Sequence, residues 1–139
     1  TDSYFQEILR RENGEVFEYK FEKHVPKPLQ TRFTGKVYVL VNRQSYSQSS
    51  VAAAQIQDYN FGTIVGEETG EYPSLIASRF QYPLPITGIP VMISKGYIVR
   101  VNGNKKEQGL IPDIVIKDHL LDENDEILIE LLKGINEKH

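Results

Sequence analysis

The sequence predicts an α/β fold with an attached antiparallel β segment and a helix near each end. An apolar run at 36–42, an alanine-rich segment at 51–59 and a second apolar run at 63–65 follow one another within about 30 residues, which is typical of a parallel βαβ unit. Apolar stretches separated by turn residues then occupy 79–101. Amphipathic patterns lie at both ends of the chain.

The first 34 residues predict a helix, a strand and a connector. Apolar side chains recur at helical spacing over 2–11, and apolar and charged residues partly alternate over 16–21. Prolines then interrupt the pattern, so 25–34 is expected to be a connector. We therefore expect one region at 1–34 and a second at 35–139.

The central βαβ unit follows from three patterns. The 36–42 run is almost continuously apolar, as expected for a strand covered on both faces. Three consecutive alanines in 51–59 present little bulk, so this helix can lie close to a sheet. The second strand, 63–65, ends at Gly66.

The remainder predicts short strands and one helix. Turn residues punctuate the apolar runs, and a leucine-rich amphipathic pattern closes the chain. The predicted elements are strands at 79–83, 90–94, 97–101 and 114–116, and a helix at 122–133 capped by Asp122 and ended by Gly134.

Composition excludes several classes of protein. The 139 residues hold 16 Lys and Arg against 19 Asp and Glu, for a net charge of −3, so non-specific nucleic-acid binding is not expected. The chain has no cysteine, which rules out disulfides, thiolate metal sites and a cysteine nucleophile. No apolar run approaches the roughly 20 residues of a membrane span, and the acidic residues match no metal-ligand spacing.

The serine-rich segment 45–50 is the candidate site. It lies between the carboxyl end of a buried strand and the start of a helix, where ligands collect in open α/β sheets. A serine there is a candidate nucleophile, because the amides at the helix start can stabilise an oxyanion. The same serines can instead be helix caps and turn residues. The residues alone leave both interpretations open.

A family resemblance bears on that choice. The stretch GKVYVLVNRQSYSQSSVAAAQIQDYNFGTIVGEETG at 35–70, followed by QGLIPDIVI at 108–116, resembles the catalytic core of peptidase family S41, the C-terminal-processing or tail-specific serine peptidases. The order and spacing of the pieces carry the likeness, which covers roughly 33–116. It implies a crotonase/ClpP-like fold and no metal or organic cofactor.

The resemblance also implies the site residues. The family nucleophile stands eleven positions before the Asp of a Gln-Asp pair, which is Asp58 here, so it falls on Ser47. The backbone amide of Gln48 would supply one oxyanion donor. Ser45 and Ser49 are then expected to be loop and cap residues.

The general base is where the chain departs from part of the family. Many members have a lysine at the position of Tyr72, whereas Gly-Glu-Glu-Thr-Gly at 66–70 resembles the tricorn-like branch, which uses an upstream histidine. No histidine of this chain, at 24, 119 or 139, lies in a family motif. Glu107 is either a base-orienting residue, as in that branch, or a solvated loop charge.

The family's upstream Asp-Leu-Arg-x-Asn-x-Gly-Gly segment is not found in this sequence. We therefore expect the chain to be the C-terminal portion of a larger peptidase whose missing N-terminal part supplies the base. The resemblance implies polypeptide substrates and an extracytoplasmic location, in the periplasm, the cell envelope or secreted. A homo-oligomer is a further expectation, because part of a larger fold exposes apolar surface. The alternative is a catalytically inactive S41-like domain that binds or assembles proteins.

Overall fold

The computed structural model describes residues 2–12, 14–20, 25–119, 121 and 123–137. The chain forms two compact units, Thr1–Thr34 and Gly35–His139. The elements in chain order are α1 (Asp2–Leu9), a short 3₁₀ helix (Leu29–Thr31), β1 (Tyr38–Val41), α2 (Gln48–Asp58), β2 (Thr63–Gly66), β3 (Leu75–Pro83), β4 (Pro90–Ile98), β5 (Ile114–Val115) and α3 (Glu126–Asn136).

The N-terminal unit contains the predicted helix, but the predicted strand at 16–21 is wrong for its described residues. No strand forms over 15–20, and Phe21 lies outside the described residues. A single strand gains nothing without a hydrogen-bonded neighbour, and the described part of this unit contains no strand to pair with it. Instead, Arg11 donates to the Glu15 carboxylate and lies 4.7 Å from the centre of the Phe17 ring. The hydrogen bond from Arg11 lowers the pKa of Glu15 below its ordinary value.

A parallel three-stranded sheet forms the centre of the second unit. The strand order is β1–β2–β5, with Tyr38 opposite Thr63 and Val65 opposite Ile114. Helix α2 connects β1 to β2, which confirms the predicted βαβ unit. This helix begins at Gln48, three residues before its predicted start.

Helices cover both faces of this sheet. On one face Val41 and Ile64 pack with Ala53 and Ala54 of α2, and the small alanines let the helix lie close, as predicted. On the other face Val65 packs with Ile127 and Leu131 of α3. Successive strand residues point to opposite faces. A strand with both faces covered therefore has an almost continuously apolar sequence, as seen at 36–42. The predicted α/β class is therefore confirmed, together with its antiparallel segment and terminal helices.

Polar contacts connect the sheet to α2. The Asp113 carboxylate accepts hydrogen bonds at 2.8 Å from the Ile64 amide and from the Gln57 side chain. The next helical residue, Asp58, accepts from the Arg100 guanidinium at 2.8 Å, and both side chains are largely buried. Gln57, Asp58 and Asp113 therefore hold helix, sheet and later loops together.

Strands β3 and β4 form an antiparallel pair, in register from Leu75 opposite Ile98 to Pro83 opposite Pro90. The predicted division between 90–94 and 97–101 is wrong. Gly96 lies in the ladder opposite Ala77, so the Lys95-Gly96 pair continues the strand instead of turning it.

The last helix, α3, differs from its prediction at both ends. Asp125 caps it by accepting a hydrogen bond from the Leu128 amide at 2.9 Å, while the predicted cap, Asp122, lies outside the described residues. The helix continues through Gly134 because Ile135, one residue further, packs against the core. Among the described residues, no helix is long and apolar enough to cross a bilayer.

We expect Leu110→Ala to lower the free energy of unfolding by about 2–5 kcal/mol, because it opens a cavity in a tightly packed core. Leu110 is fully buried against β2 and α2 residues. Ile111→Ala is the matched control, since the neighbouring side chain is 46% exposed and should cost far less. Urea denaturation of the two variants measures the difference, and equal losses would contradict this account of the core.

Candidate functional site

Ser47 lies in the loop between β1 and α2, at the N-cap position of the helix. Its backbone has φ 52° and ψ −122°, a conformation that L residues rarely adopt. Holding a non-glycine residue in such a region costs about 1–3 kcal/mol. The Ser47 side chain is exposed and makes no capping hydrogen bond, so its hydroxyl does not perform the usual task of a serine at this position.

The other serines of the segment 45–50 have structural roles, apart from exposed Ser49. The Ser45 hydroxyl accepts a hydrogen bond from the Asn42 amide at 3.1 Å. The fully buried Ser50 donates through its hydroxyl to the Ser45 carbonyl at 2.9 Å. The Ser49 amide donates to the Tyr46 carbonyl at 3.0 Å, while its side chain is exposed.

The segment after β2 packs directly against this loop. The Gly70 amide donates to the Ser45 carbonyl at 3.1 Å. A Cβ atom at Gly70 would lie 2.2 Å from the Arg43 carbonyl oxygen and 2.6 Å from the Tyr46 ring. Only glycine therefore allows this approach of the two backbones.

Thr69 connects that segment to the Gly-x-x-Pro-Asp segment. Its buried hydroxyl accepts a hydrogen bond from the Leu110 amide at 2.8 Å and donates to the Glu71 carbonyl at 2.8 Å. A Cβ atom at Gly109 would lie 2.1 Å from the Thr69 carbonyl oxygen, so this contact also depends on glycine. The segment 109–113 thus contacts the segment after β2, which in turn contacts the serine loop.

Glu71 completes the arrangement, and the sequence reasoning did not single it out. Its half-buried carboxylate accepts a hydrogen bond from the backbone amide of Ser47, 24 positions earlier in the chain. An acidic residue in a loop carries no local pattern that predicts such a partner, so no signal in the sequence could have found this contact.

The other side of the loop borders an acidic cavity of about 420 Å³ at the carboxyl end of β1. The Asn42 side chain makes two hydrogen bonds at the wall of this cavity. Its amide group donates to Asp118 at 2.8 Å, and its oxygen accepts from the Gln44 amide at 2.9 Å. Arg43 donates to the Asp118 carbonyl at 2.8 Å and pairs with Glu67. These contacts fix the start of the loop.

The remaining predicted residues lie as follows. Gln48 is the first residue of α2, where amides lack acceptors within the helix. The Tyr72 side chain is 40% exposed. His119 is exposed and hydrogen bonds through its ring to Glu126, while His24 and His139 lie outside the described residues. Within the described ranges no cluster of acidic and histidine side chains is suited to a metal ion.

The arrangement presents an exposed hydroxyl beside the positive end of a helix. Amides of the first helical turn can stabilise negative charge that develops next to the Ser47 side chain. A serine hydroxyl becomes a strong nucleophile only when a base takes its proton. Among the described residues, no lysine or histidine side chain hydrogen bonds to Ser47.

Two comparisons with known proteins bear on this site. The sequence profile described as Peptidase family S41 matches residues 4–116. The curated protein "Tail-specific protease" of Haemophilus influenzae (strain ATCC 51907 / DSM 11121 / KW20 / Rd) is 36% identical over 90 residues. That alignment covers 60% of this chain and 13% of the relative, so the chain spans a small part of that protein's length.

We expect Thr69→Val to lower the free energy of unfolding by about 1–3 kcal/mol, because the buried Leu110 amide loses its acceptor. Valine matches threonine in shape, so the packing of the side chain is kept. Thr69→Ser is the control, since it keeps the hydroxyl and removes one methyl group, worth about 0.8 kcal/mol. Urea denaturation compares the two, and a valine variant as stable as the wild type would show that this hydroxyl does not connect the segments.

Proposed function

The chain belongs to peptidase family S41, and on that premise we propose that Ser47 is the nucleophile of a serine peptidase acting on polypeptides. One observation carries the proposal. Ser47 is held at φ 52° at the start of α2, with an exposed side chain that does not cap the helix. Strain of this kind is typical of nucleophiles placed on a sharp strand-to-helix turn.

The proposed reaction is acyl transfer. The Ser47 oxygen attacks the scissile carbonyl carbon while a general base takes the hydroxyl proton. The oxyanion that forms is stabilised by the Gln48 amide, and a second donor comes from outside this chain. The base then gives the proton to the leaving amine, and water hydrolyses the acyl-enzyme in a second step of the same kind.

The general base is proposed to be a histidine supplied from outside this chain, as in the tricorn-like branch of the family. Tyr72 stands where many members have a lysine, so that lysine cannot be the base here. The sequence Gly-Glu-Glu-Thr-Gly at 66–70 supports the same branch.

We further propose that this chain is the C-terminal portion of a larger peptidase. The relative from H. influenzae is far longer than the segment it shares with this chain. The missing N-terminal part would be the main partner of this chain, and the exposed apolar surface would also support a homo-oligomer. An extracytoplasmic location is proposed from the likeness to tail-specific proteases.

A second candidate function is a catalytically inactive S41-like domain that binds or assembles proteins. One observation favours it, namely Tyr72 at the position of the family lysine. The two candidates differ in whether Ser47 reacts.

In the full-length protein that contains this chain, we expect Ser47→Ala to abolish both peptide cleavage and labelling by a fluorophosphonate, because the reagent needs an activated serine. Ser49→Ala is the matched control, since Ser49 lies two residues away in the first turn of α2 with an exposed side chain, and it should be labelled like the wild type. Intact-protein mass spectrometry measures the adduct. A wild-type protein that is not labelled, beside a labelled control peptidase, would favour the inactive domain.

The 139-residue chain alone should show no measurable turnover, because the base and the second oxyanion donor lie outside it. Adding the separately produced N-terminal part should restore labelling of Ser47. A fluorogenic peptide assay with and without that part tests this expectation. Full activity of the isolated chain would mean that its own residues supply the base.

A further inference from the structure

The geometry points to Glu71 as a positioning residue that holds Ser47 in its reactive conformation. The inference rests on the proposed function only where it concerns catalysis, since the contact itself can be tested without any activity. Glu71 touches the backbone of the proposed nucleophile and not its hydroxyl. It would act through the orientation of Ser47.

Ser47 needs an external partner because its own element does not explain its conformation. Its carbonyl accepts from the Val51 amide at 3.2 Å, as in any first helical turn. Its side chain makes no capping hydrogen bond. The contact that reaches Ser47 from outside the loop is the hydrogen bond from its amide to the Glu71 carboxylate.

A carboxylate is well suited to this task. A hydrogen bond to an ionised acceptor is roughly twice as strong as one between neutral groups. In the positive-φ conformation of Ser47, its amide donates to the Glu71 oxygen. The bond is therefore available in this backbone conformation and favours it over the relaxed alternatives.

The backbone of Glu71 is itself held in place by its neighbours in the sequence. Its carbonyl accepts from the buried hydroxyl of Thr69, which also accepts from the Leu110 amide. Gly70, which lies between Thr69 and Glu71 in the sequence, packs against the Arg43 carbonyl and the Tyr46 ring. The carboxylate thus projects from a segment whose backbone is already fixed against the serine loop.

A positioning role and a role as general base make different demands on Glu71. Positioning requires an oxygen that accepts a hydrogen bond from the Ser47 amide. Base catalysis requires a group that can take a proton from the hydroxyl. Glu71→Gln keeps an accepting oxygen and loses proton acceptance, whereas Glu71→Ala loses both.

The activity test uses the full-length protein that contains this chain. We expect Glu71→Ala to lower kcat about 100-fold, because displacement of a reacting atom by about 1 Å has an effect of that size, with KM changed little. Glu71→Gln should retain kcat within about threefold of the wild type, since the amide keeps its acceptor. Glu68→Ala is the control for loss of one exposed negative charge on the same segment and should match the wild type.

A second readout needs no activity. In the ¹⁵N-labelled 139-residue chain, the Ser47 amide proton should move upfield and exchange faster with solvent in Glu71→Ala, but stay near its wild-type position in Glu71→Gln. Glu71→Asp, which keeps the charge but is one methylene shorter, should lie between them. This variant also serves if the alanine variant does not fold, as judged by circular dichroism.

Three results would overturn the inference. The Ser47 amide could be unchanged in Glu71→Ala, or Glu71→Ala could retain the kcat of the wild type. The glutamine variant could also lose activity as fully as the alanine variant while its Ser47 amide is unchanged, in which case the carboxylate takes part in the chemistry. Failure of the proposed function would be a separate result. A fully active Ser47→Ala protein would show that Ser47 is not the nucleophile, and the amide measurement would then decide on Glu71.

Discussion

A serine held at a positive φ depends on contacts that come from outside its own loop. Here the loop 42–47 is held by the segment 66–71, which in turn is held by 109–113. Close backbone packing makes this possible, since both Gly70 and Gly109 lie where a Cβ atom would overlap a carbonyl oxygen. The orientation of one exposed hydroxyl thus depends on residues more than 60 positions further along the chain.

The residues that define the family likeness are mostly scaffold in this structure. Asp113 hydrogen bonds to β2 and to Gln57 of α2, and Asp58 pairs with the buried Arg100. Thr69 satisfies the buried Leu110 amide, whose loss would leave an unpaired donor in the core. The pattern therefore describes how the serine loop is supported, and Ser47 stands apart from this scaffold because its exposed side chain does not cap the helix.

The sequence predicted the strands and helices of the central sheet better than the contacts between segments that are distant in sequence. Apolar runs identify β1 and β2 because burial on both faces leaves a strong local pattern. The strand predicted over 16–21 does not form over the described residues 16–20, because a strand depends on a neighbour that a local pattern does not describe. The spacing of the family motif predicted Ser47 as the site residue. The contact of Glu71 could not be predicted, because a side chain that hydrogen bonds to a distant amide leaves no periodic signal in the sequence.

The strain at Ser47 also bears on the choice between an active peptidase and an inactive binding domain. A domain that only binds or assembles proteins gains nothing from a serine at φ 52°, since a glycine adopts that conformation without steric cost. Tyr72 shows that the chain lacks the lysine of many relatives, yet a missing lysine removes only one kind of base. The serine side chain and its support by Glu71 are explained if a base reaches Ser47 from another part of the protein. The strained backbone therefore weighs towards the active peptidase.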